Sequence, residues 1–471
     1  MSDRFISGVG GYLPLLRMDR GVAAKSLRFA GLGGRTAGRR AVAGWDEDAV
    51  TLAAEAARQL AVPDKLIFAS TSAPFHERLQ ATLVAAALDL PETTRTGDVS
   101  GARRCGVSAL LDALLGTGNG TIAAGEKRLT RPGSAAHLAW GDGGAAISVG
   151  DSGSARLIGF ASRTHDLIDI YASRDVETPY LAEERFVRDT AGALIAETVA
   201  AACAAAGVSP GSIAHAAVHE PLAGMWRDIA ARVGTKAENH AAALDASAGD
   251  LGAAHAPYAL ALALAAAQPG DLVLLAGFGS GCDALVFEVT GETPGAASAA
   301  AALAFGLALT DYVRFLALTR AIDLDFGVRA EFEQKAQAAV IERHGRDAMA
   351  FIGGSDTAGN VQFPKSRIPV RPGAQGIEPL EDVRLADVPG TLVSVTADRL
   401  NYTPDPPFWF GLVQFEGGAR VLMELTDAVP AGFSVGDRLA MRLRIKSHDR
   451  TRGMRTYFWK AAPALRPALE D

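Results

Sequence analysis

The sequence is poor in cysteine. Only Cys105, Cys203 and Cys282 occur among its 471 residues, none in a C-x-x-C pair, which excludes a disulfide framework and leaves room for one chemical thiol beside two packing ones. Excess positive charge is lacking as well. Lys and Arg number 46 against 53 Asp and Glu, and a net charge of -7 argues against nucleic-acid binding as the main task, although basic residues can still gather around an anionic ligand. No apolar run is long enough for a bilayer span. The most apolar window, Ala296–Leu309, is Ala-rich, too short, and followed by Asp311 and Arg314, so it reads as a buried helix and no membrane partner is expected. The opening Met-Ser-Asp-Arg has no basic segment feeding an apolar one, so a cytoplasmic protein is expected.

What is abundant is Ala and Gly. Ala accounts for much of the 49% hydrophobic content, and with 51 Gly it gives a composition suited to helices packed closely on a sheet, while the length implies more than one core. Two stretches repeat one order of elements. In the first, helix Trp45–Leu60, strand Lys65–Ala69, a helix near Glu77–Ala87 and Cys105 at the head of an Ala/Leu helix precede strands near Thr121–Ala124 and Ala145–Val149. In the second, helix Ala191–Ala206, strand Ile213–Val218, helix Leu222–Val233 and a helix opening near Leu251 precede strands Leu272–Ala276 and Ala284–Val289. Apolar runs of strand length alternating with helices predict strands buried on both faces in a duplicated, layered α/β unit. Gly141-Asp142-Gly143-Gly144 and Gly279-Ser280-Gly281 fall at corresponding places, where glycine permits a tight turn or close backbone approach. A charged helical region, Asp311–His344, follows, then a Gly/Pro/Asp-rich connector. From Gly390 onward five short strands separated by turn signals predict a small barrel, of which the OB-fold is the commonest kind.

Several segments resemble the thiolase superfamily, in particular 3-hydroxy-3-methylglutaryl-CoA (HMG-CoA) synthases and ketoacyl-ACP synthases III. They are Gly8-Val9-Gly10-Gly11-Tyr12-Leu13-Pro14, the nucleophile segment Asp98-Val99-Ser100-Gly101-Ala102-Arg103-Arg104-Cys105-Gly106, the strand-end His219-Glu220-Pro221, and Gly249-Asp250-Leu251-Gly252-Ala253-Ala254. The C-terminal part resembles the OB-fold partner protein of archaeal thiolases and HMG-CoA synthases, normally a zinc ribbon plus a barrel, with Gly359-Asn360-Val361-Gln362-Phe363-Pro364 at the ribbon's end. No cysteine follows Cys282, so a sulfur-ligated zinc is excluded and a degenerate, metal-free ribbon is expected. The resemblance implies a thiolase-like α/β/α/β/α sandwich followed by a small all-β barrel. The expected divisions are 1–165 with the nucleophile, 166–350 with the histidine, the aspartate and a helical insertion, a ribbon-like connector 351–389, and an OB-fold 390–471. A homodimer is implied.

The chemistry follows from three residues. A cysteine at a helix N-terminus gains from the macrodipole, and a nearby Arg or His lowers its pKa further, so Cys105 is read as an acyl acceptor loaded from acyl-CoA or acyl carrier protein. His219, at a strand's carboxyl end, is read as polarising the thioester or shuttling a proton, a role the resemblance supplies. Asp250 stands where the family carries Asn. A carboxylate repels an enolate oxygen that an amide stabilises, yet it can orient His219 as a base in a Cys-His-Asp set. The family favours transfer to a second, small-molecule substrate by C–C bond formation, which is the expectation here; the alternatives are Cys-His-Asp transfer to oxygen or nitrogen and a non-catalytic acyl-CoA-binding scaffold for a partner thiolase. No resident cofactor is expected and CoA-binding residues are not assigned. The glutamate base of HMG-CoA synthases is matched by Thr71 or Ser72, which cannot serve, and Glu77 is a nearby substitute. His137, His215 and His255 are read as packed or surface histidines. The loop Asn401–Trp409 and the basic residues Arg442, Arg444, Lys446 and Arg450 are read as contacting CoA or as a rigid loop and a basic strand edge.

Overall fold

The computed structural model describes residues 3–32, 36–173, 176–325, 342–343, 345–371, 373, 377–450 and 452–464. Two compact units result, one made of Met1–Ala43, Asp48–Val84 and Glu92–Ile322, the other of Gly44–Glu47, Ala85–Pro91 and Asp323–Asp471. Most of the expected charged helix beyond 325 lies outside the described residues.

The first unit is built on ten strands: β1 (Phe5–Tyr12), β2 (Lys65–Ala69), β3 (Arg95–Val99), β4 (Gly120–Glu126), β5 (Gly143–Gly150), β6 (Ala155–Thr164), β7 (Ile213–Val218), β8 (Glu238–Asn239), β9 (Leu272–Phe278) and β10 (Gly281–Val289). They line up as β8-β7-β9-β10-β6-β1-β5-β4-β2-β3. Cut between β6 and β1, the sheet falls into two halves with one order: first strand, fifth, fourth, second, third. That shared order is the duplication read from the sequence. The halves join where Phe5 and Ile6 pair with Arg156 and Ala155.

Helices α1 (Ala49–Ala57), α2 (Cys105–Leu115), α3 (Glu184–Ala205) and α4 (His255–Ala266) supply the layers. Both α2 and α4 touch strands of each half and share one apolar core with them, so they form the middle layer. α1 covers the outer face of the first half and α3 that of the second. Small residues make this possible. A methyl group on Gly10, Gly125 or Gly144 would stand 2.0, 2.0 or 2.1 Å from a carbonyl oxygen of α1, so three neighbouring strands carry glycine where the helix lies on them. The Ala-rich window after 295 forms a helix only over Ala296–Ala304. It then turns into strand Leu307–Leu309, and few of its residues are buried, so the expectation of one buried helix is corrected. No helix among the described residues is long and apolar enough to cross a membrane.

The second unit holds a three-stranded sheet (Ile352–Ser355, Val361–Gln362, Glu381–Arg384) and a five-stranded one. The latter, in spatial order, runs Arg420–Glu424, Phe408–Phe415, Gly390–Asp398, Arg438–Asp449, Met454–Pro463, with a parallel bridge from Leu425 to Ala461. In the small sheet, Asp356 accepts from the backbone of Ala358 and Asn360, both at 2.9 Å, and pairs with Arg371 at 3.2 Å. Arg444 corrects the expected basic edge. It is fully buried and bound to Asp427 at 3.0 Å and Glu47 at 3.1 Å, so it is unavailable to an outside phosphate.

Candidate active site

The end of β7, the turn before α4, the start of α2 and the end of β4 converge in the first unit. β7 delivers His219, whose backbone N–H bonds the Ala276 carbonyl at 3.0 Å. Its Nε2 lies 3.0 Å from Asp250 Oδ1, which brings together two of the three residues singled out in the sequence. Asp250 is fixed by its backbone, with its N–H on Ala139 and its carbonyl receiving Gly141, both at 2.9 Å. This contact needs glycine: a methyl group on Gly141 would stand 1.8 Å from the Ala248 oxygen, and Gly249 has φ +90°. The Gly-rich motif at 141–144 thus sets the aspartate's position.

Two guanidinium groups bracket the same carboxylate. Arg128 reaches Asp250 Oδ1 at 3.1 Å while stacking on Trp140 at 3.8 Å, and Arg103 reaches Oδ2 at 3.4 Å while pairing with Asp169 at 2.5 Å. Burial alone raises the pKa of Asp250. His219, Arg128 and Arg103 outweigh it and hold the carboxyl well below the usual carboxylate range, so Asp250 is ionised and accepts hydrogen bonds without donating any.

His255, read from the sequence as a packed or surface residue, stacks on His219 with ring centroids 4.6 Å apart. Its Nδ1 accepts the Leu251 N–H at 3.1 Å, and burial, the main cause, together with the His219 ring stacked on it lowers its pKa to about 3, so it is neutral. His219, Asp250 and His255 place ligand atoms within 4.8 Å of one another, close enough for a metal ion. The surroundings do not suit one: His255 already uses Nδ1 and two guanidiniums occupy the carboxylate. His137, by contrast, is a packed histidine between Thr130 (3.1 Å) and Tyr312 (3.0 Å), and His215 pairs with His240.

Cys105 is the first residue of α2, as expected, and 3% exposed. Its sulfur makes no hydrogen bond to His219 among the described residues, and the expected lowering of its pKa is corrected. Burial, then the negative charge of Glu126, pushes the thiol up and outweighs the backbone N–H groups that favour the thiolate. Glu126 itself, at the end of β4, is fully buried. It accepts from the Thr71 N–H (2.8 Å) and hydroxyl (2.9 Å), the Ser72 hydroxyl (2.5 Å) and the Ala253 N–H (3.1 Å). Glu77, the substitute base read from the sequence, is exposed.

A cavity of about 370 Å³ opens onto this group, lined by Arg103, Trp140, Asp169, His219, Asp250 and His255 together with small apolar residues such as Ala136, Ala139 and Ala241. Cys105 is not part of its wall. Arg103, Glu126, Arg128 and His255 were not assigned to the site from the sequence. A signal existed for Glu126: it ends an apolar strand at its carboxyl end, the same feature that marked His219.

Comparison with known proteins fits this fold. The family described as 3-oxoacyl-[acyl-carrier-protein (ACP)] synthase III C terminal matches residues 203–288. The hydroxymethylglutaryl-CoA synthase of Pyrococcus furiosus is 27% identical over 314 residues, 61% of this chain and 87% of that protein. That of Aeropyrum pernix is 26% identical over 356 residues, 71% of this chain and 95% of that protein. Among solved structures, an HMG-CoA synthase complexed with CoA has a TM-score of 0.59 at 15% identity, covering 71% of this chain and 95% of its own. The 3-oxoacyl-(acyl carrier protein) synthase III of Pseudomonas aeruginosa has 0.52 at 19%, covering 62% and 100%. The HMG synthase of the curacin pathway, in complex with acetyl donor-ACP, has 0.56 at 18%, covering 72% and 93%. The fold is thiolase-like, of the type shared by HMG-CoA synthases and ketoacyl synthases III, as the sequence led us to expect.

Proposed function

We propose that this chain is a thioester-dependent acyltransferase in which Cys105 takes an acyl group from acyl-CoA, or from an acyl carrier protein, and hands it to a small-molecule acceptor. In the first half-reaction the Cys105 sulfur attacks the donor thioester, giving acyl-Cys105 and free CoA thiol. In the second, the acceptor's O–H or N–H proton passes to His219 as the heteroatom attacks the acyl carbon. The carbon–sulfur bond then breaks and the proton returns to sulfur.

The observation that carries this reading is the 3.0 Å contact of His219 with Asp250, held ionised between Arg103 and Arg128. An ionised partner fixes the imidazole tautomer, with Nε2–H on the carboxylate and Nδ1 free as the base. It also repels an enolate, which favours oxygen or nitrogen as the acceptor atom over carbon. Carbon–carbon condensation is the second reading. The likeness to hydroxymethylglutaryl-CoA synthases favours it, as does the Glu126 carboxylate delivered to the 70–72 loop, where the family resemblance implies a glutamate base.

The donor class is supported by relatives whose structures hold CoA or an acetyl donor-ACP. The strand order of the C-terminal sheet, with its parallel closing bridge, supports an OB-fold barrel serving the same substrates. A homodimer in the cytoplasm completes the proposal.

The test is intact-mass spectrometry after incubation with a panel of acyl-CoAs and acyl carrier proteins, comparing wild type with Cys105→Ala. A gain of one acyl group, absent in the variant, is expected, and its loss on adding amine or alcohol acceptors identifies the second half-reaction. If no donor loads Cys105, the chain is instead a non-catalytic scaffold.

A further inference from the structure

The site contains N–H donors that nothing among the described residues uses. Nε of Arg103, and both Nε and Nη1 of Arg128, are buried without a hydrogen-bond partner, in side chains only 7% and 8% exposed. Buried guanidinium N–H groups left unpaired are costly; Nε is also unpaired in Arg4 and Arg40, away from the cavity, so the distinguishing donor is the additional Nη1 of Arg128. Both site guanidiniums hold Asp250, Arg103 from within the cavity lining and Arg128 from behind the carboxylate, outside that lining. Arg103 lines the cavity two residues ahead of Cys105, and Arg128 packs on Gly252, where a methyl group would stand 3.1 Å from its Cζ. The adjoining Ala253 lies against Gly106, the residue after the nucleophile.

We propose that Arg103 and Arg128 bind the carbonyl oxygen of the acyl thioester and stabilise the oxyanion formed on it. The inference rests on the acyl-Cys105 reading above. Asp250 lacks the amide donor that the resemblance would place at its position, and the two guanidiniums paired with it carry the unpaired N–H donors. Charge balances during the step. As the carbonyl π-pair moves onto oxygen, the acceptor's proton arrives on His219, so the buried site gains one negative and one positive charge together. When the oxyanion collapses, the C=O bond re-forms, the C–S bond breaks and the His219 proton goes to the Cys105 sulfur.

The experiment uses the full chain loaded with whichever acyl-CoA acylates it, after which excess donor is removed and hydroxylamine is added at pH 7. Hydroxylamine is uncharged there and depends little on His219, so the rate reports oxyanion stabilisation. Arg128→Gln and Arg103→Gln are compared with wild type after thermal unfolding shows that they are folded. We expect loss of the acyl group to slow by about 100-fold in at least one variant. The ¹³C-labelled thioester carbonyl band should also move to higher infrared frequency as its donors are lost. A role confined to holding Asp250 moves neither readout. Rates within threefold of wild type with an unchanged band in both variants overturn this proposal and leave the acyltransferase reading standing. If wild type takes no acyl group from any donor, both fall.

Discussion

Thr71 presents its backbone N–H and its hydroxyl to one oxygen of Glu126, at 2.8 and 2.9 Å. The loop that ends β2 therefore holds a carboxylate supplied from β4, two strand positions away in sequence, where the family resemblance would place a glutamate in the loop itself. With the Ser72 hydroxyl and the Ala253 N–H also on it, this carboxylate ties β2, β4 and the turn carrying Asp250 into one frame around Cys105.

Removing that charge is expected to make the nucleophile more reactive toward a small alkylating agent. Glu126 is the second cause, after burial, of the raised Cys105 thiol pKa, so Glu126→Gln lowers it while burial keeps it above the ordinary value. A half-unit fall increases the thiolate fraction about threefold at a pH below the pKa. Iodoacetamide labelling of Cys105 across pH 7–10 reads this directly. Slower or unchanged labelling in the variant would mean that Glu126 serves the thiolate in some other way.

Gly10→Ala tests the packing of α1 on β1. Its new methyl would stand 2.0 Å from the Ala56 carbonyl oxygen, a backbone atom that cannot swing aside. We expect a loss of about 3 kcal/mol or a failure to fold, at the upper end for overpacking. Urea unfolding within 1 kcal/mol of wild type would show that the helix can lift off the sheet.

The duplication, the strand positions, Cys105 at a helix start and the His219–Asp250 contact were legible because each has a local signature: an apolar run, a turn glycine, or a polar residue ending a strand. The cluster around them was not. Arg103 and Arg104 are adjacent in sequence, yet one points to Asp250 and Asp169 and the other to Asp283, a division set by the helix start and invisible in composition. Arg444 looked like part of a basic edge because strand periodicity does not reveal that Asp427 and Glu47 meet it. The helix after 295 ended early because Gly306 lets the chain leave it close to Arg17, where a methyl group would stand 2.7 Å from that side chain.

Stability should decline on mild acidification. His137 and His255 keep pKa values of about 3 when folded, both chiefly through burial, against 6.5 when free. Between those values the unfolded chain binds protons that the folded one refuses, so stability falls as pH drops. Each histidine adds up to about 1.4 kcal/mol per pH unit within that window. Urea unfolding between pH 7 and 5 should show the slope, and His255→Gln should flatten it. An identical slope in the variant would remove His255 from the account.

The small sheet of the second unit is held by Asp356, which ties the turn Ala358–Asn360 and pairs with Arg371. Asp356→Ala removes the acceptor of two backbone N–H groups and should lower the urea midpoint more than Arg371→Ala, which removes only a partly exposed pair. A chelator should leave the unfolding curve of the wild type unchanged. A chelator-sensitive curve would mean that a metal ion stabilises the protein after all.

Asp250→Asn separates the two acyltransfer chemistries. The substitution keeps the side chain's size and its place between Gly249 and Leu251, yet it removes the negative charge and introduces an N–H donor. Transfer to an amine or alcohol should fall by about 10²- to 10⁴-fold, because the imidazole loses the partner that fixes its tautomer and stabilises its protonated form. Decarboxylation of a malonyl thioester, which needs a donor for the enolate oxygen and no base, should rise in the same variant. Both are measured on one preparation, as ester or amide formed and as carbon dioxide released. If condensation on carbon is the native reaction, the ionised Asp250 must assist it, so the variant would lose carbon–carbon product and gain no decarboxylation. Decarboxylation thus separates the two chemistries at one residue, whose carboxyl is held ionised by His219, Arg128 and Arg103.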